Sequence, residues 1–308
     1  MTKQPKLRLG TRQSPLAVAQ AEEARERLCQ AHGWDEADIE LVKVRASGDK
    51  IQDRPLADIG GKALWTRELD IWLAEGKIDA AVHSMKDVET IRPDSLTIAA
   101  ILPREDVRDV LIGARSIREI PQGARIGTSA PRRAAQMLHQ RPDCSIVSFR
   151  GNVATRLAKL SAGEADVTLL AAAGLNRTNR QGTGTALDPA EWLPAPAQGA
   201  IGIECNTADA QTRAFLAAID DAPSRHSVMA ERAMLGALGG TCHSPIAVMT
   251  TRDGEMLALR AAIFSADGYE RAEGTIRMAP GDMAAAAGLG RDLLSRAPIS
   301  ITKLFEGG

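Results

Sequence analysis

The residues best placed to do chemistry stand together at His83-Ser84-Met85-Lys86-Asp87. A carboxylate beside an ammonium suits the handling of a small polar substrate. The cluster follows an apolar run (Ile78, Ala80, Ala81 and Val82), which itself begins after the Gly76-Lys77 turn. A run of this length bounded by glycine reads as a buried parallel strand. The polar residues then fall at the carboxyl end of that strand, the edge at which open α/β sheets bind ligands. Ser84 followed three residues on by Asp87 also reads as a capping pair opening a helix, with its charges solvated.

A second set is cationic. Arg12, Arg132, Arg133, Arg150, Arg156 and Arg177 each follow an expected strand, in the loop or in the first helical turn. Helix N-termini at such places add N–H groups and partial positive charge. A guanidinium grips a carboxylate with two parallel bonds. The set implies a ligand with several negative charges, although each arginine alone reads equally as a solvated surface cation. Lys62, after Gly60-Gly61, is either a further anion contact or a helix-surface charge.

Of four cysteines, Cys29, Cys144, Cys205 and Cys242, none has metal-ligand spacing, so no structural zinc is expected. Cys29 and Cys205 read as packing residues. Cys242 lies in Gly239-Gly240-Thr241-Cys242-His243-Ser244-Pro245, a loop setting in which reactive thiols occur. Its neighbour His243 is not expected to pair with it, because adjacent side chains rarely face one another. His83 has no spaced partner for a metal or a triad and reads as a hydrogen-bonded strand-end residue.

These residues need elements to hold them. Lys6 to Gly10 reads as a first strand, with Ser14 capping and Pro15 opening a helix that ends at Gly33. Further strands are expected at 40–45, 96–102, 110–112, 145–149, 167–171 and 200–204. Residues 46–61 lack periodicity over a length that marks a functional lid or disorder. The sequence also echoes itself. Gly10-Thr11 and Gly127-Thr128 each end a strand before a proline, and Gly76-x-x-Asp79 resembles Gly163-x-x-Asp166. Two similar α/β lobes facing each other across a cleft would produce this echo, as would any two βα units. From Pro223 the pattern changes: a helix capped by Ser224, then strands separated by Asp253-Gly254 and Asp267-Gly268, which are hairpin signals. The expected domains are 1–102 with 199–220, 103–198 and 221–308.

Composition narrows the class. With 308 residues and a formal net charge of −1, nothing points to a nucleic-acid partner. Aromatics are only 3%, too few for a base-stacking platform. No apolar run reaches a membrane span and the N-terminus has no signal-peptide core, so a cytoplasmic protein is expected.

VHSMKD, the GTS-x-x-RR loop, RGNVATRL, AAAGLNR and the GGTCHSPI loop occur in that order. Together they closely resemble the porphobilinogen deaminase (hydroxymethylbilane synthase) family. The resemblance implies two lobes like type II periplasmic binding proteins around a cleft, plus a small C-terminal α+β domain with a three-stranded antiparallel sheet. It implies a monomeric transferase of heme and porphyrin biosynthesis that links four porphobilinogen molecules and releases linear hydroxymethylbilane. It implies a dipyrromethane cofactor on a thioether at Cys242, with Asp87 as the catalytic aspartate. Ser84, Lys86, Thr128, Ser129, Arg132, Arg133 and Arg150 match cofactor-binding positions. Arg12, Ser14, Lys62, Arg156, Arg177 and Gln198 match substrate-binding ones, and residues 46–61 match the family's mobile lid. No metal is implied. The chain departs from the family at Trp65, Ala130, Thr241 and His243, which touches affinity and cofactor environment but removes no group the chemistry requires.

Two other classes compete. A two-lobed solute-binding or ligand-sensing protein for a polycarboxylate would use the same scaffold. A cysteine hydrolase would use Cys242, but lacks a separate base and orienting acid.

Overall fold

A computed structural model describes residues 4–44, 66–241 and 244–305. Lys62, Trp65, Cys242, His243 and the expected lid 46–61 lie outside the described residues. In chain order the elements are β1 (Leu7–Arg12), α1 (Pro15–His32), β2 (Ile39–Val44), α2 (Arg67–Ala74), β3 (Ala80–Ser84) and β4 (Leu96–Ile101). Next come β5 (Asp109–Ile112), β6 (Arg125–Gly127), α3 (Pro131–Gln140), β7 (Ser145–Val147), α4 (Val153–Ser161), β8 (Val167–Ala171), α5 (Ala172–Arg177) and β9 (Thr185–Ala186). The chain continues with β10 (Ile201–Asn206), α6 (Ala210–Ala217), α7 (Ala222–Ala237), β11 (Ile246–Asp253), β12 (Met256–Phe264), β13 (Arg271–Met278), α8 (Met283–Arg296) and α9 (Ile299–Thr302).

The backbone forms two compact units. One holds the described residues up to Glu105 together with Gly199–Arg225; the other holds Asp106–Gln198 and the chain from His226 onward. In the first unit the sheet order is β2-β1-β3-β10-β4. The first three strands are parallel, and β10 runs antiparallel to both of its neighbours. Both faces are covered. Ala21, Ala24 and Leu28 of α1 pack on Leu7, Leu9, Ala80 and Val82. Leu69 and Leu73 of α2 pack on Val44, Ile78 and Ala81 from the other side. Burial on both faces explains why residues 80–82 are continuously apolar and not alternating. Ser14 caps α1 as expected, accepting the Ala17 N–H at 3.3 Å.

The second unit repeats the plan. Its order is β7-β6-β8-β5-β9, again three parallel strands followed by an antiparallel one. The sequence echo has a side-chain counterpart. Asp79 accepts the Arg8 N–H at 2.7 Å and grips its guanidinium at 2.6 Å. Asp166 does the same to Arg125, at 2.7 Å and 3.0 Å. Each pair fastens the amino end of the central strand to the start of its neighbour.

The C-terminal sheet is antiparallel, in the order β11-β12-β13. Leu257, Leu259, Ala261 and Ile263 face α7 and α8, whereas Ala262 and Phe264 face Ala135 and Leu193 of the same unit. Gly254 and Gly268 take positive φ, 63° and 73°, in the loops the Asp-Gly pairs marked. One expectation needs correction. Ser224 does not cap α7; the helix begins earlier because the Asp221 carboxylate accepts the Ser224 N–H at 2.9 Å. Ser224 Oγ instead accepts the Arg104 N–H at 2.8 Å.

Candidate functional site

In the first unit, β1 and β3 end on the same edge of a parallel array. That edge carries Arg12, Ser14, Ser84, Lys86 and Asp87. Met85–Asp87 forms one turn of 3-10 helix, not the start of a longer helix. Ser84 Oγ does not cap it. The hydroxyl bonds the amide of Gln20, a buried residue of α1, at 2.8 Å. Met85 is buried beneath the turn, and its N–H donates to Ala200 at 3.0 Å. Asp87 is half-buried, and among the described residues its carboxylate takes part in no hydrogen bond or ion pair. Lys86 and Arg12 are half-buried as well.

Gly202 makes this packing fit. A Cβ there would run into the Met85 side chain and sit 3.2 Å from Ile101 Cδ1. Gly202→Ala is therefore expected to cost about 1–3 kcal/mol by overpacking and to push the turn bearing Asp87 outward. Denaturant unfolding checks the first effect and turnover the second. An unchanged midpoint with unchanged turnover would mean that Met85 repacks freely.

Beside the turn lies a buried ionic network that the sequence reading missed. Glu204 of β10 is 0% exposed. Arg92 holds it with two bonds of 3.0 and 2.9 Å, and His83 Nε2 lies 3.3 Å away. Arg92 also reaches Asp70 at 2.6 Å and Glu89 at 2.7 Å. The only available signal was a lone acid inside the apolar run Ile201 to Cys205. Burial alone would raise the Glu204 pKa; His83 and Arg92 outweigh that and hold it at about 2. A folded-state pKa below the ordinary 4.5 adds stability above that pH and withdraws it as pH falls toward about 2. The contribution is on the order of 3 kcal/mol. Unfolding measured at pH 7, 4.5 and 3 should show a steeper acid loss in the native chain than in Glu204→Gln. Parallel profiles would remove Glu204 from the acid sensitivity.

In the second unit, β6, β7 and β8 likewise end on one edge. Thr128 and Ser129 follow β6, Arg150 follows β7, and Arg177 closes α5 after β8. The first two loops are tied together: the Thr128 N–H donates to Val147 at 2.9 Å, and Ser129 Oγ is 3.0 Å from Ser148 Oγ. Asn152 caps α4 by accepting the Thr155 N–H at 2.9 Å. Arg156, in the first turn of α4, bends back to bond Gly151 O at 3.0 Å. Arg150, Arg156 and Arg177 are half-buried.

Arg132, Arg133 and Gln198 are placed differently. All three are buried, and all three converge on Asp109, a carboxylate the sequence reading missed. Arg132 lies 2.8 Å from it and Arg133 2.7 Å; Gln198 donates at 2.9 Å and Trp192 Nε1 at 2.8 Å. Burial alone would raise the Asp109 pKa, but the two guanidiniums hold it far below the carboxylate range. Arg132 Nε is buried with no hydrogen-bond partner among the described residues.

Among the described residues no acidic, histidine or cysteine cluster could hold a metal ion, and no helix is long and apolar enough to cross a membrane. Cys29, Cys144 and Cys205 are free thiols; Cys205 is buried in the first unit's core.

Residues 7–214 match the family model described as porphobilinogen deaminase, dipyromethane cofactor binding domain. The chain belongs to the porphobilinogen deaminase family. Residues 226–297 match that family's C-terminal domain. A porphobilinogen deaminase of Sphingopyxis alaskensis is 54% identical over 305 residues, covering 97% of this chain and 96% of that one. One from Nitrobacter winogradskyi is 48% identical over 303 residues, covering 97% and 96%. Among solved structures, the BvgS VFT2 domain of Bordetella pertussis is similar at a TM-score of 0.39 and 16% identity, over 69% of this chain and 85% of that one. That likeness is too distant to bear on function. The family's group is dipyrromethane, a pair of pyrroles with N–H donors and carboxylates. In the first unit, the Asp87 carboxylate, without a hydrogen bond or ion pair among the described residues, suits the N–H donors of such a group.

Proposed function

We propose that this chain is a hydroxymethylbilane synthase, a cytoplasmic, monomeric transferase of heme and porphyrin biosynthesis. It joins four porphobilinogen molecules head to tail, releasing one ammonia per step, and water then cleaves the completed chain from the cofactor as linear hydroxymethylbilane. Within the family assignment, the observation that carries this reading is the Asp87 carboxylate. It stands at the end of β3, half-buried and without a hydrogen bond or ion pair among the described residues.

The reaction needs such a group. Loss of ammonia from porphobilinogen leaves a cationic azafulvene. Attack by the free α-carbon of a neighbouring pyrrole creates a second cation, which then gives up the α-proton. A fixed carboxylate at pyrrole N–H distance stabilises both cations where charge develops and orients the rings. Asp87 is also the leading candidate to protonate the departing amine. Dipyrromethane, when bound, supplies the pyrrole end from which the chain grows. Cys242, outside the described residues, would carry it through a thioether. Ser84, Lys86, Thr128, Ser129, Arg132, Arg133 and Arg150 would hold it. Porphobilinogen bears an acetate and a propionate, so each added ring brings two negative charges. Arg12, Ser14, Arg156, Arg177 and Gln198 would receive them, with Lys62 outside the described residues. The reading also keeps three functional parts, 1–102 with 199–220, 103–198 and 221–308.

Intact mass of the native chain tests this. Denatured protein should weigh two linked pyrrole rings more than its sequence, and peptide mapping should place the excess at Cys242. Porphobilinogen turnover by a chain of unmodified mass would overturn it.

A further inference from the structure

Glu204 is the one fully buried carboxylate of the first unit's sheet, and three tethers meet at or beside it. His83 approaches it from β3, one residue before Ser84. Arg92 grips it from the segment that follows the turn, through both Nε and Nη2. The same guanidinium holds Glu89, two residues after Asp87, whose carboxylate also accepts the Thr66 hydroxyl at 2.9 Å. Residues 83, 89 and 92 thus bracket the turn 84–87. β10, which carries the anchor, is the hydrogen-bonded neighbour of β3, with Gly202 opposite His83 and Glu204 opposite Ala81. Gly202 and Glu204 lie two apart on one strand and so share a face. One leaves room for Met85 and the other anchors both flanks. Charge makes the bracket depend on Arg92, because a single guanidinium serves Glu204, Asp70 and Glu89.

We infer that Arg92, through Glu204 and Glu89, is the positioning residue of the Asp87 turn and sets where the Asp87 carboxylate stands. This rests on Asp87 acting in turnover as proposed above. The Arg92 guanidinium is engaged by Asp70, Glu89 and Glu204. It acts by holding the backbone on both sides of the acid, so its loss should lower the rate of the chemical step more than it weakens substrate binding.

Arg92→Lys keeps the charge but loses the two-pronged grip, and Arg92→Met loses both. Full-length Arg92→Lys should show a kcat lower by roughly 10-fold with KM within about 2-fold, and Arg92→Met a larger loss of the same kind. In an Asp87→Asn background, Arg92→Lys should change the residual kcat by less than about 2-fold, because the displaced group is already gone. An additive loss there would show that Arg92 acts elsewhere and would overturn the inference. Hydrogen exchange at the Met85 and Val88 amides gives a reading independent of activity. Both should exchange about 10-fold faster in Arg92→Lys than in the native chain; unchanged exchange would overturn the bracket. Full turnover by Asp87→Asn would sink the functional reading instead, and the exchange result would still decide whether Arg92 holds the turn.

Discussion

Asp87→Asn is expected to lower turnover by roughly 10²–10³-fold, the usual effect of removing one fixed group that faces developing charge. The substitution is nearly isosteric, and the side chain it replaces has no hydrogen bond or ion pair among the described residues. Folding should therefore change little, and the thermal midpoint should stay close to that of the native chain. KM should move far less than kcat, because the carboxylate's charge matters most in the cationic states. The attached pyrrole mass should be retained. Steady-state kinetics with intact-mass measurement separates these effects. Native turnover in the variant would take Asp87 out of the chemistry. A chain lacking its pyrroles would instead make the residue an assembly factor.

Asp109→Ala should destabilise the second unit strongly, by roughly 3–5 kcal/mol. The carboxylate is fully buried among Arg132, Arg133, Trp192 and Gln198. Removing it strands two guanidiniums away from water, and that stranding makes broken buried pairs costly. Raised salt should not rescue the variant, since screening acts weakly on buried charge. Because α3 begins at Pro131, loss of the anchor should also disturb Thr128 and Ser129. Denaturant unfolding gives the energy. A loss below about 1 kcal/mol would show that the two arginines find other partners and that the hub is not structural.

Much of this was legible in the sequence because strand-forming runs and glycine-bounded turns are local signals. The run 78–82, the Ser14-Pro15 helix start and the two Asp-Gly hairpins needed only their own neighbours to be placed. The residues at the carboxyl ends of those strands followed, since topology fixes which ends of parallel strands share an edge. What could not be read was pairing across sequence distance. The ion pairs of Arg132 and Arg133 could not be read because Asp109 stands 23 and 24 positions away, with nothing local to link them. Ser84 looked like a cap because Gln20, which takes its hydroxyl, is 64 residues earlier. Arg92 and Glu204 are 112 apart, and both seemed ordinary until β10 was laid beside β3.

The paired Arg8–Asp79 and Arg125–Asp166 locks lie at the amino ends of their strands, opposite the edges that carry Asp87 and Thr128. Each half is thus rooted at its foot and differentiated at its crown: where the first half places Asp87 three residues beyond the end of β3, the second places Gly174 three beyond β8. Loss of either part-exposed lock should therefore cost little stability and leave the far edge of the same half in place.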